Sequence, residues 1–310
     1  MQTVTVDQAQ RPVEGVTTMR VAITGASGLV GKALAARLTA EGHQAVALRR
    51  GADADWDPAT GWIKPGGLDG VDAIVHLAGE SIGTKRWSAK RKAELRSSRI
   101  DSTKLIVSEI AKMATPPAFI AASAVGFYGD RADEALNESS SKGTGFLSDL
   151  VQEWEAELLK AQQAGARTVV LRFGVILDKD GGALPQMLLP FKFGAGGRLG
   201  SGRQWFSWVV LEDVISAIMR SLTSEMSGVY NVTAPEPVTN STLTKALGKV
   251  LKRPTPFPVP PFALRLVIGG SADELLLSGQ RVLPKRLLDD GFTFRYTDIS
   301  SALNAVLKGS

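Results

Sequence analysis

Residues 25 to 31 read Gly-Ala-Ser-Gly-Leu-Val-Gly. Gly25 permits a tight turn, Gly28 lets a diphosphate approach the backbone, and Gly31 lets a following helix pack close to the preceding strand. The first N–H groups of that helix then face the phosphates. A glycine-rich turn without a ligand is the plain alternative. A triphosphate loop of the GxxxxGK[ST] type is excluded, because Gly31-Lys32-Ala33 lacks the hydroxyl that would hold magnesium. An acidic residue ending the second strand would favour NAD, by bonding a ribose 2′-OH. This chain has Arg49 and Arg50 there, and a guanidinium fork matches a 2′-phosphate, so NADP(H) is expected over NAD(H). In the other reading the basic pair faces solvent and Asp53 or Asp55 serves the ribose.

Three groups are candidates for moving a proton: Ser123 and Tyr128, just past one strand, and Glu80, after the HLAG turn. Lys85, Arg86 and Lys142 are the cations that could tune Tyr128; packing on the cofactor is its alternative role. For Ser123 the alternative is satisfying a strand end, and for Glu80 a surface ion pair. Arg86 and Trp87 could hold an anionic group and a ring, or Trp87 could anchor its helix. Gln204 and Trp208 are candidates to line a substrate cavity. His76 lies in an apolar strand and reads as a satisfied core residue, and Asp213 reads as a helix N-cap.

The elements that must position these residues alternate. MRVAIT (19–24), QAVAL (44–48), DAIVHL (72–77), AFIAA (118–122), RTVVLRFG (167–174) and VYNVT (229–233) read as buried strands. Helical spacing separates most of them, in KALAARLTAEG, in the basic segment running to Met113, in FLSDLVQEWEAELLKAQQAG and from Asp213 to Leu222. Gly51 to Gly70 reads mostly as loop. The pattern predicts a Rossmann-type doubly wound parallel α/β sheet with a smaller, discontinuous α/β C-terminal lobe. The expected boundaries are a flexible extension at 1–18, a dinucleotide-binding domain at 19–175 plus 206–234, and a substrate lobe at 176–205 plus 235–310.

Composition narrows the function classes. Among 310 residues there is no Cys, which excludes a disulfide framework, a Cys-ligated metal and a Cys nucleophile. Only His43 and His76 are present, so no metal site is expected. The formal charge is +5, but residues 85–104 alone hold eight Lys/Arg and two acids, leaving 28 basic and 29 acidic residues elsewhere. That local surplus points to a small anionic ligand and not to nucleic acid. No apolar run reaches 18 residues and the first 18 do not read as a secretory signal, so a cytoplasmic protein without membrane contact is expected, a monomer or homodimer. Met1 and Met19 are both candidate starts.

The segments GASGLVG (25), WDP (56), HLAGESI (76), RWSAKRK (86), SSRIDST (97), SAVGFYG (123), FLSDLVQEWE (146) and LRFGVIL (171) together resemble the atypical short-chain dehydrogenase/reductases. More narrowly, they resemble NAD(P)-dependent epimerase-like proteins with a C-terminal extension of uncharacterised role, some labelled cell-division inhibitors. The likeness continues through LPFKFGAGGRLGSG, QWFSWVVLEDV, APEPVTN, PVPPFALRL and LLLSGQRVLPKRLLDDGF, covering about 19 to 306. It implies that Gly25, Ser27, Gly28, Leu29, Val30 and Gly31 meet the dinucleotide and that Arg49 and Arg50 meet its 2′-phosphate. It further implies that Leu77, Ala78 and Gly79 lie near the ribose, with Arg99, Ser123, Arg172 and Gly174 completing the cofactor site. The wider superfamily resembles itself in a Tyr-x-x-x-Lys pair, whose slots here hold Phe146 and Leu150. The leading expectation is an NADP(H)-dependent oxidoreductase or epimerase-like enzyme on an unknown small molecule. The alternatives are an NADP(H)-binding sensor that has lost its chemistry and a protein-interaction module.

Overall fold

A computed structural model of the chain describes residues 18–51 and 55–309. The extension expected over 1–18 falls outside them apart from Thr18, as does Asp53. Six parallel strands form the main sheet: β1 (Arg20–Thr24), β2 (Gln44–Leu48), β3 (Ala73–His76), β4 (Ala118–Ala124), β5 (Thr168–Phe173) and β6 (Gly228–Val232). Their order across the sheet is β6-β5-β4-β3-β1-β2. The chain goes from β1 outward to β2, then crosses back to β3 on the other side of β1. That reversal opens a crevice at the carboxyl ends of β1 and β3. The four inner strands, β1, β3, β4 and β5, are runs rich in β-branched and small apolar residues buried on both faces, the pattern a helix-covered parallel sheet requires, while the edge strand β2 is half-buried or exposed up to Leu48.

Helix α1 (Leu29–Ala40) and the helix Leu211–Thr223 cover one face, where Leu34 and Leu38 join Val214 and Ile218. The other face carries α2 (Ala89–Ile110) and α3 (Phe146–Leu158), where Ile106 and Ile110 meet Trp154 and Leu158. Ser88 caps α2 by accepting from the Arg91 N–H at 3.1 Å.

A third core joins Leu184, Leu188, Phe191, Leu243, Leu247 and Leu303. The short strand Trp208–Val210 lies between this core and the main one, parallel to Val175–Leu177. Strand side chains alternate, so Val209 enters the main core while Trp208 and Val210 enter the third. The C-terminal lobe adds the helices Pro261–Ile268, Lys285–Asp289 and Ile299–Lys308 and the turn Asp273–Leu277. Its strand Arg281–Val282 pairs with Ala135–Leu136 of the first lobe. The fold is a doubly wound α/β sheet with a smaller, discontinuous C-terminal lobe. Within 51–70 the chain forms a hairpin, Trp56–Asp57 against Trp62–Ile63. Among the described residues no helix is long and apolar enough to cross a membrane.

Candidate functional site

The crevice begins at the glycine turn. Gly25 has φ +71°, and a Cβ there would lie 2.8 Å from the carbonyl of Leu77. A Cβ on Gly31 would lie 2.3 Å from the Gly25 oxygen, so α1 starts as close to the turn as backbone allows. Gly28 occupies the N-cap of α1 with extended backbone, offers no side-chain cap, and its N–H bonds the Gly25 oxygen at 3.0 Å. No acidic residue stands in the first turn of α1. Uncapped amides and the positive end of the helix dipole can therefore hold an anion in this turn. Ser27 is exposed at its tip, and Leu29 and Val30 are half-buried.

The opposite lip is the turn after β3. Thr24 Oγ1 accepts from the N–H of Leu77 at 3.1 Å and of Ala78 at 3.2 Å, and lies 2.8 Å from His76 Nδ1. His76 Nε2 faces Ser102 Oγ at 3.3 Å and Thr103 Oγ1 at 3.2 Å, and Trp154 Nε1 donates to Thr103 Oγ1 at 3.0 Å. His76 is the satisfied core residue that its apolar strand suggests. Burial lowers its pKa to about 4, so the ring is neutral. Arg99 runs beneath this lip: its Nη2 donates to the Glu80 carbonyl at 3.0 Å, and its guanidinium would lie 3.4 Å from a Cβ on Gly79. Burial lowers its pKa to about 10. The Glu80 carboxylate accepts from buried Arg91 at 3.2 Å. Arg49, at the end of β2, is mostly exposed, and its Nε donates to Asp55 Oδ2 at 3.0 Å. That hydrogen bond holds the Asp55 carboxyl below the usual range. Arg50 is also exposed.

Ser123 and Tyr128 come to a second cluster, at the ends of β4, β5 and β6. Ser123 Oγ donates to Glu155 Oε1 of α3 at 2.5 Å. Arg172 grips both oxygens of Glu155, through Nε at 2.7 Å and Nη2 at 2.6 Å. Its Nη1 donates to the Tyr128 oxygen at 2.8 Å, and the Tyr128 O–H donates to Asn231 Oδ1 at 2.8 Å. The cation beside Tyr128 is thus Arg172, not Lys85, Arg86 or Lys142. Tyr128 has no solvent exposure, and burial pushes its pKa up against the pull of Arg172. Burial works against the charge on Arg172, but the bonds to Glu155 outweigh it and raise its pKa. Gly174 sits where a Cβ would meet the Ser207 oxygen at 2.7 Å.

A cavity of about 470 Å³ opens between the start of α3 and the C-terminal lobe. Gly126, Gly129 and Ser148 form one wall, and Arg265, Asp273 and Glu274 the other. Arg265 pairs with Asp273 at 2.8 Å, and that hydrogen bond keeps the Asp273 carboxyl below its usual range. Glu274 reaches the first turn of α3, where it accepts from Phe146 N at 3.2 Å and Leu147 N at 2.9 Å. Phe146 packs edge-on to Trp87, with Lys92 4.7 Å above the Phe146 ring.

The residues expected to line a substrate cavity stand elsewhere. Trp208 is a correction: it is fully buried in the third core, with its indole bonded to the Glu236 carbonyl at 3.1 Å, because it falls on the inward phase of a strand. Gln204 Nε2 ties the Leu199 and Leu276 carbonyls together. Arg86 donates to the carbonyls of Leu266 and Val267, at the end of the helix Pro261–Ile268, and Trp87 donates to the Ile82 carbonyl. Asp213 is not an N-cap. The helix starts at Leu211, and the carboxylate accepts from the Arg295 N–H at 2.9 Å. Sequence reading missed Glu274, Glu155 and Arg265. Arg265 alone carried a signal, as the single charge within PFALRLVI; Glu155 is one of four acids in α3, and Glu274 directly follows Asp273.

The chain is similar to known proteins over most of its length. Residues 21–233 match the NAD dependent epimerase/dehydratase family, and 259–306 match a domain of unknown function. An epimerase family protein of Mycobacterium bovis is 44% identical over 289 residues, 91% of this chain and 96% of that one. The human epimerase family protein SDR39U1 (isoform 2), solved with NADPH, superposes with a TM-score of 0.84 at 32% identity, covering 94% of this chain and 100% of that one. A nucleoside-diphosphate sugar epimerase of Corynebacterium glutamicum gives 0.79 at 36% identity, over 94% of this chain and 58% of that one.

Proposed function

We propose that this chain, which belongs to the NAD dependent epimerase/dehydratase family, binds NADP(H) and exchanges hydride with a small-molecule alcohol or carbonyl. The observation that carries the reading is the glycine turn: an uncapped, acid-free helix start pressed against β1 and β3 by glycines that admit no Cβ. The human relative solved with NADPH supports the choice of dinucleotide. In this reading Gly25, Ser27, Gly28, Leu29, Val30 and Gly31 hold the diphosphate. Arg49 and Arg50 take the 2′-phosphate, as charge-assisted bonds favour. Leu77, Ala78 and Gly79 form the ribose lip. Arg99 and Arg172 act from below as positioning residues.

Bound NADP(H) supplies the hydride chemistry. The protein's own task is to hold the dinucleotide, exclude water and handle one proton. The reading is tested by fluorescence titration. NADPH should bind at least about tenfold tighter than NADH, and Gly31→Val should abolish binding of both while the chain stays folded. Equal affinities, or none in the wild type, would overturn it. A second reading, binding without turnover, is favoured by one observation: the hydroxyls of Ser123 and Tyr128 are both spent on internal partners. NADPH-dependent turnover of any member of a broad carbonyl panel would end it.

A further inference from the structure

We propose that Glu274, contributed by the C-terminal lobe, is the proton-transfer group of this site. The proposal rests on the NADP(H) reading above. At the start of α3, Phe146 carries no exchangeable proton and Leu150 no charge, and the one acid of the first turn, Asp149, is paired with Lys142 at 2.5 Å. Glu274 places a carboxylate at this same turn, bonded to the main-chain N–H groups of Phe146 and Leu147, on the wall of the cavity.

The other ionisable groups are committed elsewhere. Arg265 stays protonated at any working pH and is tied to Asp273. Asp130 accepts from the Ala132 N–H at 3.2 Å, and Glu80 is paired with Arg91. Tyr128 and Ser123 are locked into the Glu155–Arg172 cluster. Among the described acidic residues that line the cavity, Glu274 alone is half-buried, and its orientation is fixed by two amides. The two donors fix the plane of the carboxylate, and each oxygen keeps a further lone pair. This suits a general base.

The dinucleotide lies across the carboxyl ends of the strands, and Gly126 of the cavity wall is the second residue past β4. In the oxidative direction the substrate O–H bond breaks and its proton forms a bond to Glu274 Oε1, the oxygen with the longer amide contact. Bound NADP+ would supply the acceptor for the hydride of the adjacent C–H bond. The alcohol becomes a carbonyl, and the carboxylic acid returns its proton to solvent. The reverse direction uses the protonated acid as donor.

The test needs no known substrate. Protein labelled with 13C at glutamate Cδ is titrated with pH in its NADP+ and NADPH complexes. Loss of one resonance in Glu274→Asp, which keeps a shorter carboxylate cap, assigns the signal. The nicotinamide is positive in one complex and neutral in the other. A carboxylate that faces the reacting centre should titrate at lower pH with NADP+ than with NADPH, whereas a cap remote from the nicotinamide would titrate alike in both. Equal midpoints with both dinucleotides bound would overturn the assignment and leave the cofactor reading standing. Failure of either dinucleotide to bind, followed by fluorescence on the same samples, would overturn both together.

Discussion

Two buried polar clusters sit at the carboxyl ends of one sheet and are built on opposite principles. Around His76 everything is neutral: Thr24, Ser102, Thr103 and Trp154 surround an imidazole that burial keeps uncharged. Around Arg172 the cluster is ionic, with Glu155 gripped at both oxygens and Ser123 and Tyr128 drawn in as hydrogen-bond partners. The neutral cluster shapes main chain, since Thr24 orients the amides of the lip facing the glycine turn. The ionic cluster spends its side chains on one another and fastens three strands to α3. Chemistry-bearing residue types at strand ends are therefore not enough to mark a catalytic group; what their hydrogen bonds are already doing decides.

The comparison can be broken most severely at Glu155. Removing one member of a buried pair leaves an uncompensated charge, so Glu155→Ala should lose about 3–5 kcal/mol in urea unfolding. Replacing both members, Glu155→Leu with Arg172→Met, should recover most of that loss. A double variant as unstable as the single one would mean the cluster is not the ion pair described. The neutral cluster should fail differently, through acid. The His76 pKa is about 4 when folded against 6.5 for the free side chain, so the unfolded chain takes up a proton first. The stabilisation is complete above pH 6.5 and drains away as pH falls toward 4, by about 3 kcal/mol. His76→Gln should flatten that part of the stability–pH curve. A slope unchanged by the substitution would place the titration on other groups. The smallest effect belongs to the exposed edge of the crevice: Arg49→Ala should weaken NADPH about tenfold and leave NADH unmoved in parallel titrations.

Much of this architecture is legible in the sequence, for identifiable reasons. GASGLVG announces its own turn, because only glycine tolerates the 2.3 Å approach at position 31. The six sheet strands announce themselves as apolar runs between helical stretches. Pairings across long separations leave no such trace. Nothing near Tyr128 in sequence points to Arg172, 44 residues on, or to Asn231, 103 residues on. Glu274 sits 128 residues from the amide that it caps. Trp208 looks available because aromatic residues often line pockets, but its strand is three residues long, too short to show the alternation that turns it inward. Asp213 looks like a cap because its helix follows a strand directly, and the true start at Leu211 carries no capping side chain.

The strand Trp208–Val210 has a lasting consequence. With Val209 planted in one interior and its two neighbours in the other, three consecutive residues rivet the halves together. The C-terminal portion is no cassette: a transplanted replacement would have to bring a matching tryptophan-sized socket, or leave a hole beside the dinucleotide-type sheet.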